Sequence, residues 1–189
     1  MKYIFSFFLL FGFFTLFTQP TNGLVAHMSF DSCDVREDFG TPNIIPEPNP
    51  NGIFDCECGV EGNALGFTKQ GNEDSWFWIL GDIRDVFTTI DFTVSFYFKP
   101  ITTGPDNFVL ISNKVDCSGT DHAFTVRFNP FSRVLNVDLN ESTTISASVS
   151  TILPENLCWY HVTIIRDATV TKLYLNGEFI AQGKSTNAQ

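Results

Sequence analysis

Acidic residues gather in a short stretch near the amino terminus, where they could bind a metal ion. The segment Asp34-Val35-Arg36-Glu37-Asp38 is the densest acidic cluster of the chain, and Asp31 lies just before it. Hard cations such as Ca²⁺ need several oxygen ligands, so Asp31, Asp34 and Asp38 are the candidate calcium ligands. The alternative interpretation is a turn whose carboxylates are only solvated. The sequence requires no cofactor, and calcium is the one candidate.

Three consecutive aromatic residues, Trp76, Phe77 and Trp78, form the second candidate site. Exposed tryptophan rings stack on the apolar faces of sugars, so Trp76 and Trp78 are candidate ligand-binding residues. Successive side chains of a strand point to opposite faces, so either Phe77 or the tryptophan pair enters the core, but not both. One side of this strand therefore exposes aromatic surface or is covered by a loop.

Three histidines are present, and none lies in a recognisable catalytic motif. The sequence contains neither an H-E-x-x-H zinc motif nor a glycine-rich phosphate loop. His161 shares a strand face with Trp159 and Thr163, which predicts a structural role, such as a hydrogen bond that holds a loop. The sequence identifies no partner for His27 or His122, so a Ser/His/Asp or Cys/His centre is not predicted.

The five cysteines, which are Cys33, Cys56, Cys58, Cys117 and Cys158, indicate an oxidising compartment. One residue separates Cys56 from Cys58 and no second cysteine pair is present, which argues against zinc. Cys117 and Cys158 lie at boundaries between strand and loop and are predicted to pair, and Cys33 then pairs with Cys56 or Cys58. A loop closed in this way stabilises a fold by roughly 3–4 kcal/mol. The fifth cysteine would pair beyond Gln189.

The charge of the chain excludes two classes of partner. The formal net charge is −10, and the 11 basic residues are scattered rather than clustered. Nucleic acids and anionic lipids both require a concentrated lysine and arginine surface. The predicted partners are therefore a glycan or an extracellular protein, without nucleic acid.

Residues 1–23 are predicted to be a cleavable signal peptide. Lys2 supplies the positive charge, and an apolar run from Ile4 to Phe17 is shorter than the roughly 20 residues of a membrane span. Thr21 and Gly23 are small enough for the cleavage site. We therefore expect a secreted or cell-surface protein that starts near Leu24, without membrane insertion after cleavage. An uncleaved anchor is the alternative.

The rest of the chain has the period of β-strands and no helical pattern. Phe92, Val94, Phe96 and Phe98 share one face, as in a half-buried antiparallel strand. Further strands are predicted at 24–30, 108–115, 122–128, 133–139, 143–149, 157–166, 170–175 and 178–181, with Asn176-Gly177 as a hairpin turn. The proline-rich residues 31–62 are predicted to be a long loop. These features predict an all-β antiparallel sandwich.

Five segments, in order, resemble those of laminin-G-like, concanavalin A-like jelly-roll domains. They are the opening segment 24–31, a G-x-A-L-x-F pattern at 62–67, an F-T-V-S strand within 91–100, W-x-H-V at 159–162 and an L-Y-L-N-G segment within 172–177. Asp38-Phe39-Gly40 also matches the D-x-G loop of that family. The resemblance implies a two-sheet antiparallel jelly-roll sandwich over residues 24–189. The family's closing strand is not found, so the domain is expected to be truncated at its carboxyl end or to have an open sheet edge.

Such domains mostly bind glycans or proteins, and some bind Ca²⁺. The resemblance therefore predicts a non-catalytic carbohydrate- or protein-binding module for adhesion. The alternatives are a glycoside hydrolase, or an accessory module of a polysaccharide-degrading enzyme, and a structural spacer in a multidomain surface protein. Retaining glycosidases place two carboxylates about 5 Å apart. On jelly rolls they come from an E-x-D-x-E or E-x-D-x-x-E strand, which this sequence lacks.

Overall fold

The computed structural model describes residues 23–38, 44–68, 74–81, 83, 87, 91–100, 107–114, 123–140, 142, 145–155 and 158–184. Residues 1–22 of the predicted signal peptide, as well as Cys117 and His122, lie outside these ranges. Within the described residues, we find no helix of the length and apolarity that would be needed to cross a membrane.

The described residues form twelve strands, all in antiparallel pairs. They are β1 (Ile44–Pro48), β2 (Ile53–Cys58), β3 (Asn63–Thr68), β4 (Phe77–Gly81), β5 (Phe92–Phe98), β6 (Phe108–Ser112), β7 (Ala123–Asn129), β8 (Val134–Asn140), β9 (Ser146–Ile152), β10 (Tyr160–Asp167), β11 (Val170–Leu175) and β12 (Glu178–Lys184). One four-stranded sheet has the order β12-β11-β10-β5, and the other has the order β6-β7-β8-β9. Two-stranded ribbons pair β1 with β4 and β2 with β3. The predicted all-β sandwich is thus confirmed.

The two four-stranded sheets meet in one hydrophobic core. The ring of Phe92 in β5 lies 5.3 Å from the ring of Phe124 in β7, and the ring of Phe98 lies 5.7 Å from that of Phe128. These contacts arise because alternate residues of each strand point inward, as the period of two in the sequence requires. The fully buried residues from both sheets include Val126, Leu135, Val137, Val162, Ile164 and Leu173.

The predicted turn at Asn176-Gly177 connects β11 to β12. Both residues have positive φ, 52° and 83°, which Asn and Gly tolerate better than other residues. The Asn176 N–H donates to the His161 carbonyl at 2.8 Å, and the His161 N–H donates to Asn176 Oδ1 at 2.9 Å. The turn is therefore fixed to the neighbouring strand β10 through the backbone of His161.

Two predictions for the amino-terminal third were wrong. Residues 24–30 are not a strand, because backbone donors there bond to side chains: the His27 N–H donates to Glu37 and the Ser29 N–H to Asp38. Residues 31–62 are not all loop, since they contain β1 and β2. Strand β1 contains two prolines, which a strand at a sheet edge accommodates because its outward N–H groups are not needed in the ladder.

Two described residues between β4 and β5, Ile83 and Phe87, are helical, whereas the sequence pattern predicted no helix. The ring of Phe87 stacks on that of Phe124, with centroids 5.2 Å apart and an interplanar angle of 2°. Phe87 also lies 5.0 Å from Phe92. The Phe87 side chain therefore packs against the core through Phe92 and Phe124.

Candidate functional site

The ribbon of β1 and β4 presents a contiguous apolar surface to solvent, which we call the aromatic face. It consists of Ile45, Glu47, Trp76, Trp78 and Leu80. The four apolar members have exposed fractions of 61% (Ile45), 40% (Trp76), 48% (Trp78) and 42% (Leu80). Ile45 pairs directly with Leu80, and Glu47 with Trp78, so these side chains share one side of the ribbon. Exposed large apolar residues that cluster in this way are typical of a binding surface.

The two tryptophans of the aromatic face touch each other. Their ring centroids are 4.9 Å apart and the ring planes meet at 82°, so the edge of one ring meets the face of the other. This arrangement is favoured by the charge distribution of aromatic rings. The pair therefore presents an angled aromatic surface rather than one flat plane.

Phe77, between the tryptophans in sequence, points to the opposite side of the ribbon. Its ring lies 6.0 Å from the ring of Phe30 and 6.0 Å from that of Phe67. Of the two alternatives left by the sequence, the one in which Phe77 enters the interior and the tryptophans face outward is therefore correct. Phe77 anchors the ribbon against β3, and the alternation of the strand then exposes Trp76 and Trp78.

Two polar residues, Asn49 and Ser75, hold the backbone next to the tryptophans in place. Asn49 is only 8% exposed; its N–H donates to the Trp76 carbonyl at 2.9 Å and its Nδ2 donates to the Asp74 carbonyl at 3.2 Å. Ser75 Oγ accepts from the Ile53 N–H and lies 2.8 Å from the Ile53 carbonyl. The sequence reasoning missed both residues. Their only signal was the turn-forming Pro-Asn-Pro-Asn-Gly run at 48–52.

The predicted calcium ligands are held by separate partners. Asp31 Oδ1 accepts from the Asn63 N–H at 3.1 Å, while the Asp31 carbonyl accepts from Asn63 Nδ2 at 2.8 Å. Asp34 Oδ1 accepts from Ser32 Oγ at 2.5 Å. Among the described residues, no three His, Cys, Asp or Glu side chains come close enough to hold a metal ion. Asp31, Asp34 and Asp38 thus do not converge in this structure.

Asp38 has a structural environment of its own. Its Oδ2 accepts from the Ser29 N–H at 2.5 Å and lies 3.7 Å from His27 Nδ1. Desolvation would raise the pKa of Asp38, but the hydrogen bonds from Ser29 and Arg36 and the charge of Arg36 outweigh it and lower that pKa below its ordinary value. Asp38 therefore closes the loop of residues 27–38 onto itself.

The cysteines differ in part from the expected pattern. Cys33 and Cys56 form a disulfide, with Cα atoms 5.1 Å apart, which decides between the two predicted partners of Cys33. Cys58 and Cys158 carry free, exposed thiols. Cys117, the predicted partner of Cys158, lies outside the described residues, so the pairing of these two cysteines stays a prediction.

His161 makes side-chain contacts on the outer side of β10. Its Nε2 lies 2.8 Å from Ser95 Oγ, and its ring stacks on Tyr97 with centroids 4.5 Å apart. A nucleophilic serine needs a base that a third group orients beside a substrate cleft. Tyr97 is 55% exposed, so this pair lies on an open sheet surface rather than in a cleft.

Strand β2 carries two carboxylates on one face, Asp55 and Glu57. Both are exposed, and both have partners: Asp55 Oδ2 accepts from Thr68 Oγ1 at 2.5 Å, and Glu57 lies 3.8 Å from Lys99 Nζ. The general acid of a glycosidase needs an environment that raises its pKa, so that it is protonated when the reaction starts. These exposed carboxylates, held by a hydroxyl group and an ammonium group, have the surroundings of surface residues.

Comparisons with known proteins agree with this architecture. The solved binding domain of botulinum neurotoxin DC, in complex with rat synaptotagmin II, is similar in fold with a TM-score of 0.59 at 14% sequence identity. The match covers 79% of this chain and 37% of that one. No curated protein matches the chain. The family described as the concanavalin A-like lectin/glucanases superfamily, of laminin-G type, matches residues 72–189. The chain therefore belongs to the concanavalin A-like lectin/glucanase superfamily.

Proposed function

We propose that the protein is a non-catalytic binding module that contacts its ligand with the aromatic face of β1 and β4. The observation that carries this proposal is the exposure of Trp76 and Trp78, at 40% and 48%, beside Ile45 and Leu80. Binding energy in protein interfaces is concentrated in a few large residues, with tryptophan prominent among them. Because Asn49, Ser75 and Phe77 already hold the ribbon, a ligand would meet a preformed surface.

An extracellular protein is the ligand that this face fits best. Four of its five side chains are apolar, and the fifth, Glu47, is the one ionisable group among them. The buried centre of a protein interface has the same composition, with aromatic residues enriched and charges depleted. The toxin domain of similar fold was solved in complex with a protein. That likeness supports the fold as a suitable scaffold for protein recognition.

A glycan is the second candidate, which one pair of residues favours. Glu47 lies directly across the ribbon from Trp78. A sugar could stack its apolar face on the indole while its hydroxyl groups donate to the carboxylate. A protein ligand would therefore depend on the apolar neighbours of the tryptophans, Ile45 and Leu80, whereas a glycan would depend on Glu47.

The site of action that fits these features is outside the cell. The Cys33–Cys56 disulfide is typical of an oxidising compartment. Laminin-G-like domains are also typical of extracellular proteins, and the amino-terminal sequence predicts export. We therefore propose that the protein binds its ligand as a secreted or surface protein.

The test compares the wild-type chain with Trp76→Ala and Trp78→Ala on a glycan array and on a displayed library of extracellular domains. Phe179→Ala is the matched control, since Phe179 is 54% exposed and belongs to β12, a strand of a different sheet from the β1-β4 ribbon. We expect a ligand that binds at least about tenfold more weakly to both tryptophan variants and equally well to the control. Retention of all binding by both tryptophan variants would refute the proposal.

Two further substitutions separate the candidates. Ile45→Ser should weaken a protein ligand and spare a sugar, whereas Glu47→Gln should weaken a sugar more than a protein. A hydrolysis screen on polysaccharides addresses the enzyme alternative. Turnover that disappears when Asp55 or Glu57 is replaced by its amide would show an enzyme rather than a binding module.

A further inference from the structure

A sequence motif for covalent modification lies at the end of strand β8. Asn140-Glu141-Ser142 is an N-x-S sequence in which x is not proline, and it is the only N-x-S or N-x-T motif of the chain. This motif is the acceptor for N-linked glycans in exported proteins. Asn140 is the last residue of β8, and β9 begins at Ser146. A glycan at this position requires that the folded chain leaves the Asn140 side chain open to solvent.

The alternation of β8 directs Asn140 away from the core. Its neighbour Leu139 is 3% exposed and belongs to the hydrophobic core, so Asn140 lies on the opposite, outer face of the sheet. On that face its direct partner in β9 is Ser146, which is exposed and has a small side chain. The residue opposite Asn140 therefore leaves room for a sugar attached to the amide.

The side-chain amide of Asn140 is not used by the fold. Within the described part of the chain, this amide makes no hydrogen bond, and the buried polar side-chain atoms that lack one are Arg127 Nε and Thr171 Oγ1. An amide that is neither bonded nor buried is in contact with water. Asn136, on the same face of β8, differs in this respect, because its Nδ2 donates to Asp138 Oδ2 at 2.7 Å. Attachment of a glycan to Asn140 would therefore break no hydrogen bond of the described structure.

Ser142, which supplies the hydroxyl group of the motif, lies in the connection between β8 and β9. Its N–H donates to the Ile145 carbonyl at 3.3 Å, and its Oγ accepts from the Ile145 N–H at 3.1 Å. Both bonds join residues only three positions apart, and they belong to the closed β8-β9 connection. In a chain that has not yet formed this connection, the hydroxyl group is free to be recognised by a transferase. The connection can close afterwards, because neither bond involves Asn140.

We infer that Asn140 is a site of N-linked glycosylation, with a lipid-linked oligosaccharide diphosphate as the donor. In the transfer, Asn140 Nδ2 forms a bond to the anomeric carbon of the first sugar, and the bond from that carbon to the diphosphate oxygen breaks. The lipid diphosphate leaves with the electron pair of this bond, and the amide nitrogen gives up one proton. The inference rests on the export proposed above, because the transfer takes place in the secretory pathway. It does not depend on the ligand of the aromatic face.

The test expresses the full chain with its own amino terminus in a eukaryotic cell and measures its mass before and after treatment with peptide-N-glycosidase. Exported and cell-associated protein are both measured, so that a variant that folds poorly still reports its mass. We expect the exported wild type to exceed the polypeptide mass. The glycosidase should remove the excess and leave an aspartate where Asn140 stood.

Four substitutions locate the glycan. Asn140→Gln moves the amide nitrogen by one methylene group and Ser142→Ala removes the hydroxyl group, so each should abolish the mass shift. Ser142→Thr keeps a hydroxyl group and should keep the glycan. Asn136→Gln is the matched control, since Asn136 lies on the same face of β8 but is followed by Val137-Asp138, and it should also keep the glycan.

Three outcomes would overturn this inference. One is an exported wild-type protein that has only the polypeptide mass; another is a glycan that persists in both Asn140→Gln and Ser142→Ala. The third is a wild-type chain that stays in the cytosol. Only the third also contradicts the proposed site of action outside the cell. The first two leave the proposed binding function intact, because an exported chain without this glycan still presents Trp76 and Trp78.

Discussion

The Tyr160 hydroxyl and the Arg133 guanidinium are bound to each other and share one acceptor, the Pro154 carbonyl. Arg133 Nη2 lies 3.2 Å from the Tyr160 oxygen, and both groups donate to Pro154. Tyr160 is 1% exposed and belongs to β10, whereas Arg133 immediately precedes β8. This contact therefore connects the two sheets of the sandwich at the edge of their shared core.

Tyr160→Phe should destabilise the fold by about 1 kcal/mol, because it removes a buried hydroxyl that serves as both donor and acceptor. The measurement is urea unfolding followed by circular dichroism. Tyr97→Phe is the matched control, since Tyr97 is 55% exposed, and it should change the free energy of unfolding by less than about 0.5 kcal/mol. Equal effects of the two substitutions would show that the Tyr160 hydroxyl does not contribute in this way.

Replacing both Cys33 and Cys56 by Ser should destabilise the fold by about 3 kcal/mol. The two cysteines are 23 residues apart in sequence. Loss of the bond therefore increases the conformational entropy of the unfolded chain. Cys58→Ser is the control: Cys58 is an exposed free thiol, so this variant should keep the stability of the wild type and lose one thiol from maleimide labelling. A destabilised Cys58→Ser protein would indicate that Cys58 takes part in the disulfide.

Gly183→Ala should destabilise the fold by about 1–3 kcal/mol through overpacking. A Cβ atom at Gly183 would lie 2.7 Å from the backbone carbonyl oxygen of Ser148, so β12 approaches β9 too closely for a side chain. Thermal unfolding measures the effect, and Gln182→Ala, at an exposed neighbouring position, is the control. An unchanged midpoint for Gly183→Ala would mean that the two strands separate without cost.

Asp38 should contribute to the loss of stability in acid. Its pKa is lowered from the ordinary value of 3.8, so the carboxylate stabilises the folded chain above about pH 4. This contribution disappears as the pH falls through the lower pKa of the folded state. Urea midpoints measured between pH 7 and pH 2 should therefore fall less steeply for Asp38→Asn than for the wild type. Parallel curves for the two proteins would contradict this assignment.

The fold of the carboxyl-terminal two thirds was predictable because its local signals agree with its tertiary structure. Phe92 and Phe98 lie on the face that the alternation assigned to the core, and Asn176-Gly177 forms the expected turn. In contrast, Pro46 and Pro48 argued against a strand where β1 is found. A two-stranded ribbon has free edges that accept proline, and no local signal distinguishes this case from a loop.

The candidate sites were predictable only where the period of a strand determines exposure. Alternation required Trp76 and Trp78 to share a face, although it could not say whether that face was covered. The supports of this face, Asn49 and Ser75, contact residues distant in sequence, and only the folded chain brings them together.

Phe30 joins two features that were described separately. Its carbonyl accepts from the N–H of Cys33, which is disulfide-bonded, and its ring contacts Phe77, the inward anchor of the aromatic face. Any effect of the disulfide on ligand affinity would be reciprocal: whatever factor the bond adds to ligand affinity, the ligand must add to the resistance of the bond against reduction. A saturating ligand on the aromatic face should thus slow the loss of the Cys33–Cys56 bond in a glutathione buffer. In a reducing compartment, loss of the disulfide would by the same linkage lower the affinity for that ligand.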